Sequence, residues 1–278
     1  MRDKNLKETL FHRLNVNVMG EGATTLAFVH GYGCNQLMWQ QLASRMGSGF
    51  RVVLLDLMGY GLSDSAFYSP QAYDSLDAHA EDVLQVVSAL QSGGPTVLIG
   101  HSVGAAICLA AGIREPEGIA ALVLVAPSPC FLNDGEYTGG FEPSHIDDIV
   151  RFIHEDRDVW AESFASLVVG EEAQSKVARD FVKSFRATHP PAAEQFAYLA
   201  FRLDQRAELG KLGLPTLIVQ SSDDPLAPVA VGEYMRDAIA GSELGVVRCI
   251  GHKPHLSVPE AYSQLVLGFL KRIGLMQA

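Results

Sequence analysis

Cysteine is scarce: the chain of 278 residues has four, Cys34, Cys108, Cys130 and Cys249, and no Cys-x-x-Cys pair. That spacing excludes a disulfide framework and a thiolate zinc site. Long apolar runs are also missing, since none approaches the roughly 20 residues that a membrane-spanning helix needs. The first residues, Met1-Arg-Asp-Lys-Asn-Leu-Lys-Glu8, carry charge where a secretory leader requires an apolar block, so a cytoplasmic location is expected. Basic side chains are outnumbered 21 to 32, for a net charge of −11. DNA, RNA and anionic membrane surfaces are therefore not expected partners. Repeats and low-complexity tracts are absent. What remains is 48% hydrophobic and only 19% charged, which provides a large core and excludes disorder.

Short apolar, β-branched runs alternate with longer amphipathic stretches. The runs are Leu26–Val29, Arg51–Leu55, Thr96–Ile99, Ala121–Val125, Thr216–Val219 and Leu244–Cys249. Continuous apolar runs of this length suit strands covered on both faces, as in a parallel sheet. Helices are predicted over Met38–Met46, Leu76–Leu90, Val103–Arg114, Val229–Ile239 and Leu265–Ile273. Alternation of this kind implies right-handed βαβ units and a mostly parallel α/β sheet flanked by helices. It breaks between Val125 and Thr216, where a loop, Pro127–Phe141, leads into four predicted helices: Ser144–Glu155, Val159–Val169, Gln174–Thr188 and Pro191–Leu203. A helical block inserted after the C-terminal end of a strand sits at the edge where open α/β sheets bind ligands, so a lid is expected. The expected organisation is one structural domain, with residues 1–134 and 205–278 as core and 135–204 as lid.

Gly100-His-Ser-Val-Gly104 follows the predicted strand Thr96–Ile99 and opens the helix Val103–Arg114. That is the context of a nucleophile elbow, in which a serine on a tight strand-to-helix turn projects its hydroxyl above the sheet. A serine hydroxyl needs a base, and the order in such folds is Ser, then Asp or Glu, then His. Of the late histidines, His252 stands directly after Gly251 at a strand end, whereas His255 lies further along the loop; His252 is the expected base. The acid belongs after Thr216–Val219, where both Asp223 and Asp224 are candidates. The oxyanion hole needs two backbone N–H groups, for which Val103 and Tyr32 are placed, Tyr32 lying in the glycine-rich His30-Gly-Tyr-Gly33 after the first run. Gly59-Tyr-Gly-Leu-Ser63 lacks the lysine and spacing of a phosphate loop. His79 and Asp82 read as a solvated helix face. No metal or organic cofactor is expected.

These motifs resemble the α/β-hydrolase fold over essentially the whole chain. His30-Gly-Tyr-Gly-Cys-Asn-Gln36 with Trp39, Asp56–Asp64, Pro127–Asp134, Gly139–Glu142, Ser222–Pro228, Val231–Tyr234 and Gly251–Ser257 resemble the RsbQ-type group more narrowly. That group includes a bacterial stress-response regulator and the plant karrikin and strigolactone receptors. The resemblance implies Ser102 as nucleophile, Asp224 rather than Asp223 as acid, and His252 as base. It implies a four-helix lid over an apolar pocket lined by Tyr32, Phe141, Trp160, Phe164, Leu167, Phe181 and Phe201, with Ala227 on the core side. Phe185 and Phe196 are expected to pack within the lid. The implied activity is hydrolysis of a small, rather apolar ester or lactone, with a butenolide among the candidates. The alternatives are a ligand-sensing protein with a signalling partner at the lid, and carbon–carbon hydrolysis or perhydrolysis by the same triad.

Overall fold

All six apolar runs become strands. A computed structural model describes residues 2–46, 49–90, 93–170 and 175–276. Among these residues one seven-stranded sheet comprises β1 (Asn17–Met19), β2 (Thr25–Val29), β3 (Arg51–Leu54), β4 (Thr96–His101), β5 (Ala121–Val125), β6 (Thr216–Asp223) and β7 (Glu243–Ile250). The order is β1-β3-β2-β4-β5-β6-β7; only β1 is antiparallel, to β3. The register sets Phe28 beside Ile99 and Ile99 beside Val123.

The chain outside the sheet forms α1 (Arg2–Arg13), α2 (Gln40–Met46), α3 (Leu76–Leu90), α4 (Val103–Arg114), α5 (Pro143–Glu155), α6 (Arg157–Val169), α7 (Lys176–Ala187), α8 (Pro190–Phe201), α9 (Val229–Ala238), α10 (Pro254–Ser257) and α11 (Pro259–Arg272). Side chains alternate across each strand, so the sheet splits the core in two. Leu26, Phe28, Ile99 and Val123 pack with Leu42 of α2 and with Val266 and Phe269 of α11. Ala27, Val29, Leu98 and Leu124 pack with Val83 of α3, Ile107 of α4 and Met235 of α9. Strands β2, β4 and β5 are wholly buried, which is why their sequences carry no polar alternation.

The four helices α5–α8 lie between β5 and β6 and add no strand to the sheet. Their starts are chemically marked. Asp156 accepts from the Val159 N–H ahead of α6, Ser175 accepts from the Ala178 N–H ahead of α7, and Pro190-Pro191 opens α8. The sequence places the start of the third helix at Gln174, which lies outside the described residues, as does Met1 of the charged N-terminal segment. Three elements, α1, β1 and the single-turn α10, have no counterpart in the sequence reading, which takes Pro254–Ser257 as loop. β1 is three exposed residues on a sheet edge, too short for periodicity to register. Among the described residues no helix is long and apolar enough to cross a membrane.

Asp56, just beyond β3, organises the loops at the sheet edge. Its carboxylate accepts from the Gln36 N–H at 2.8 Å, the Leu62 N–H at 2.9 Å and Asn15 Nδ2 at 2.7 Å. Gly59–Ser63 is the turn wrapped around it rather than a ligand loop. The expectation for His79 and Asp82 is corrected: both are buried. Asp82 takes hydrogen bonds from Arg13 of α1 and, at 2.8 Å, from the Tyr73 hydroxyl, while His79 packs against Tyr73 and Phe196. The face reads as polar in sequence but is covered by α1 and the insert.

Besides His252, four histidines are buried: His30, His79, His101 and His255. Burial lowers the pKa of each, that of His79 to about 3. His30 shows why neutrality is required, since Nε2 accepts from the Leu57 N–H while Nδ1 faces the Gly31 carbonyl. Unfolding lets these rings take up protons below about pH 6.5, and the folded state resists it, so their contribution to stability is lost as pH falls. Between pH 7 and pH 5 the His79 share is about 2 kcal/mol. Urea unfolding at the two pH values should therefore show a smaller acid loss in His79→Phe than in the wild type, by about that amount. Asp56→Ala should lower the unfolding free energy at pH 7 by about 3 kcal/mol, because three donors lose one charged acceptor.

Candidate active site

Ser102 occupies the junction of β4 and α4 at φ 55° and ψ −123°, a region that L-residues rarely visit. The turn is pinned by the Ser102 N–H to the Val125 carbonyl at 2.8 Å and the Ala105 N–H to the Ser102 carbonyl at 2.8 Å. Gly104 permits the turn: a Cβ there would lie 2.5 Å from the His30 carbonyl oxygen. The close approach sets the Gly31–Gly33 loop beside the elbow, so that Tyr32 and Val103 both line the cavity at Ser102.

His252 Nε2 lies 2.7 Å from Ser102 Oγ, and His252 Nδ1 lies 2.8 Å from Asp224 Oδ2 and 3.0 Å from Oδ1. The His and Asp side chains are almost completely buried. Asp224 Oδ1 also accepts from the Leu226 and Ala227 N–H groups, at 2.9 and 3.1 Å, which fixes the carboxylate toward the ring. With Nδ1 donating to Asp224, Nε2 is left as the acceptor for the serine hydroxyl proton. Asp223 is exposed, and its carbonyl accepts from the Gly251 N–H as β6 pairs toward β7. The two aspartates, inseparable by sequence physics, are thus separated by burial.

The histidine loop is held from both sides. The His252 N–H donates to the Val168 carbonyl of α6 at 2.8 Å, and the His252 carbonyl accepts from His101 Nε2 at 2.7 Å. His101 sits well below the ordinary histidine pKa, by burial first and then by the nearby His255, so it donates as a neutral ring. Gly251, at φ 99°, admits α6: a Cβ would lie 2.5 Å from the Val169 carbonyl oxygen. His255 is packed on Trp39 with ring centres 4.4 Å apart, and does not reach Ser102 by any hydrogen bond among the described residues. No cluster of three potential metal ligands occurs among the described residues.

A small cavity stands over Ser102, with about 30 Å³ open to water-sized molecules. Tyr32, Phe164, Phe181 and Phe201 line it, as the resemblance implies. Four of the implied lining residues are placed elsewhere. Leu167 is 47% exposed on the outer face of α6; Val168, one residue and ~100° of helix further on, lines the cavity instead. Trp160 stacks behind Phe164 at 4.3 Å, Phe141 packs on Phe131, and Ala227 is buried beside Asp224. Phe131, Ala200, Leu226 and Lys253 line the cavity without having been singled out by sequence. Phe185 packs as expected within the insert, on Trp160 and Phe181, whereas Phe196 packs on Tyr60 and His79 of the core; both also hold the Tyr32 ring, at 5.6 and 6.2 Å. Burial among these rings pushes the Tyr32 hydroxyl pKa far up, so it stays neutral.

The geometry has counterparts among known proteins. The strigolactone esterase of Arabidopsis thaliana is 32% identical over 96% of this chain and 99% of its own length. A karrikin insensitive 2 receptor of Petunia hybrida is 32% identical over 91% of this chain and 94% of its own. A solved structure, a hydrolase from Oleispira antarctica, superposes with a TM-score of 0.91 at 32% identity, covering 95% of this chain and 97% of that one. These are relatives of the kind that the loop motifs at 30–36, 127–142 and 222–234 resemble. The alpha/beta hydrolase family profile matches residues 26–265, from the first central strand to the last helix, and with relatives of this coverage the chain belongs to the α/β hydrolase family.

Proposed function

We propose that the protein is a serine hydrolase that cleaves a small, apolar carboxylic ester or lactone, a butenolide among them. The observation that carries the reading is the unbroken series of hydrogen bonds from Ser102 through His252 to Asp224, opening into an apolar cavity. His252 Nε2 takes the proton of Ser102 Oγ as the oxygen attacks the carbonyl carbon. The Tyr32 and Val103 N–H groups receive the developing oxyanion. The tetrahedral intermediate collapses to an acyl-enzyme, and the protonated His252 returns its proton to the leaving alkoxide. Water then enters, gives its proton to His252, and releases the acid and Ser102. Asp224 accepts the Nδ1–H throughout, holding the tautomer and countering the charge on the imidazolium.

In this reading residues 135–204 act as a lid on a core made of 1–134 and 205–278. The lid excludes water and supplies the aromatic walls that select an apolar reacting group. The cytoplasm is the proposed compartment, supported by four cysteines that all carry free thiols.

A second reading, a ligand sensor with slow turnover and a protein partner at the lid, draws support from one observation. Phe152, Val159, Leu167 and Tyr198 of the insert are exposed, leaving apolar side chains available to a partner. The receptor name of the Petunia relative points the same way.

Hydrolysis of short-chain 4-nitrophenyl esters should fall by on the order of 10⁴ in Ser102→Ala. Undiminished hydrolysis in that variant would overturn the assignment. A butenolide probe separates the two readings. Turnover near the ~10 s⁻¹ typical of enzymes supports the hydrolase. A stable adduct on the wild type, seen by intact mass together with a raised Tm, supports the sensor.

A further inference from the structure

Beyond the cavity at Ser102 lies a second, much larger one. A groove with about 550 Å³ open to water-sized molecules runs between α7 and the segment Cys34–Gln41. Phe181 and Lys253 line both the groove and the Ser102 cavity, so these two side chains form the partition between them. The inner cavity, at about 30 Å³, holds little more than the reacting atoms of an ester. The groove beyond Phe181 offers a larger substrate the room that the inner cavity lacks.

The partition carries a charge that the proposed mechanism does not use. Lys253, adjacent to His252, is only 3% exposed. Its Nζ lies 4.1 Å from the centre of the Phe181 ring and donates to Cys34 Sγ at 3.4 Å. A ring face and a thiol are weak partners for an ammonium with three N–H groups. Neither contact supplies a negative charge, and among the described residues no carboxylate pairs with this group. A buried cation without a counter-ion is costly, and an anion arriving from either cavity would relieve that cost. The groove is suited to deliver one. Lys183 adds positive charge to its wall, and its acidic lining residue, Asp180, is already bonded to Lys176 at 2.5 Å.

We propose that the substrate is an ester or lactone whose arm carries a carboxylate, with the reacting group in the inner cavity, the arm passing Phe181, and the carboxylate bound by Lys253 in the groove. The proposal rests on the serine-hydrolase reading and adds the chemistry of the far end of the substrate. The inner cavity selects an apolar reacting half, and Lys253 selects the anionic arm. A carboxylate on Nζ also competes with the Phe181 ring for the ammonium, so arrival of the arm loosens the partition it has to cross.

The test uses two matched pairs of esters. In one pair the acyl chain of a 4-nitrophenyl ester ends in a carboxylate or in a methyl group. In the other the alcohol chain of an acetate ester does so. The wild type should favour the charged member of at least one pair in kcat/KM by about tenfold, as a hydrogen-bonded charge pair implies. That ratio should collapse toward one in Lys253→Met and be largely kept in Lys253→Arg. A purely structural Lys253 would lower both members of a pair alike and leave the ratio unmoved, which would overturn the proposal. The wild type alone gives a second measurement: hexanoate should inhibit hydrolysis of the neutral ester competitively and more strongly than hexanol. Equal inhibition by the two would also overturn it. Ser102→Ala separates the two levels of the argument. If it abolishes hydrolysis while neither pair shows a preference, the anionic arm fails and the hydrolase stands. If hydrolysis persists in Ser102→Ala, the hydrolase reading itself fails.

Discussion

His252 is where the two parts of the chain meet. Its ring bridges Asp224 and Ser102, both from the sheet side, while its main-chain N–H is bonded to Val168 in the insert and its carbonyl to His101 in the elbow. The His252 ring is therefore aimed by contacts from the ends of β4 and β6 and from α6 at once. A loop histidine held only by its own backbone would sample many orientations, and misplacement of an angstrom is enough to cost a large factor in rate. Seating α6 is thus part of building the site as well as covering it, and Gly251 and Gly170 are the small residues that let the two backbones touch.

Tyr32 has the matching role on the other wall. Its ring is enclosed by Trp160, Phe185, Phe196 and Phe201, all from the insert, with centres 5.6 to 6.2 Å away. The loop that offers a backbone N–H to the cavity is thereby fixed by aromatic packing from above and by the close approach at Gly104 from below. Edge-to-face and stacked rings of this kind add to the area they bury and favour one arrangement over others.

The sheet strands were legible because burial on both faces leaves continuous apolar runs, and the elbow because Gly100, Ser102 and Gly104 sit between a strand and a helix. The choice of His252 over His255 followed from its place at the strand end. The choice of Asp224 over Asp223 required the family resemblance, since only the fold reveals which carboxylate turns inward. The pocket lining was less legible. Leu167 and Val168 are both apolar and adjacent, and which of them faces inward depends on how α6 is rotated against the core, a tertiary fact. His79 and Asp82 were misread for a related reason: polar residues on a helix look solvated until a distant element, here α1 with Arg13, covers them. Lys253 lies within the Gly251–Ser257 motif without being singled out by it, because what sets it apart is that two cavities meet at its side chain.

The backbone at Ser102 sets stability against function. Its φ of 55° is comfortable only for glycine, and holding a residue with a side chain there costs on the order of 1–3 kcal/mol. A glycine at this position would relax the turn and keep its backbone hydrogen bonds, but would lose the hydroxyl and its bond to His252 Nε2. Strain at this turn is thus the cost of presenting a hydroxyl, rather than a bare backbone, to His252.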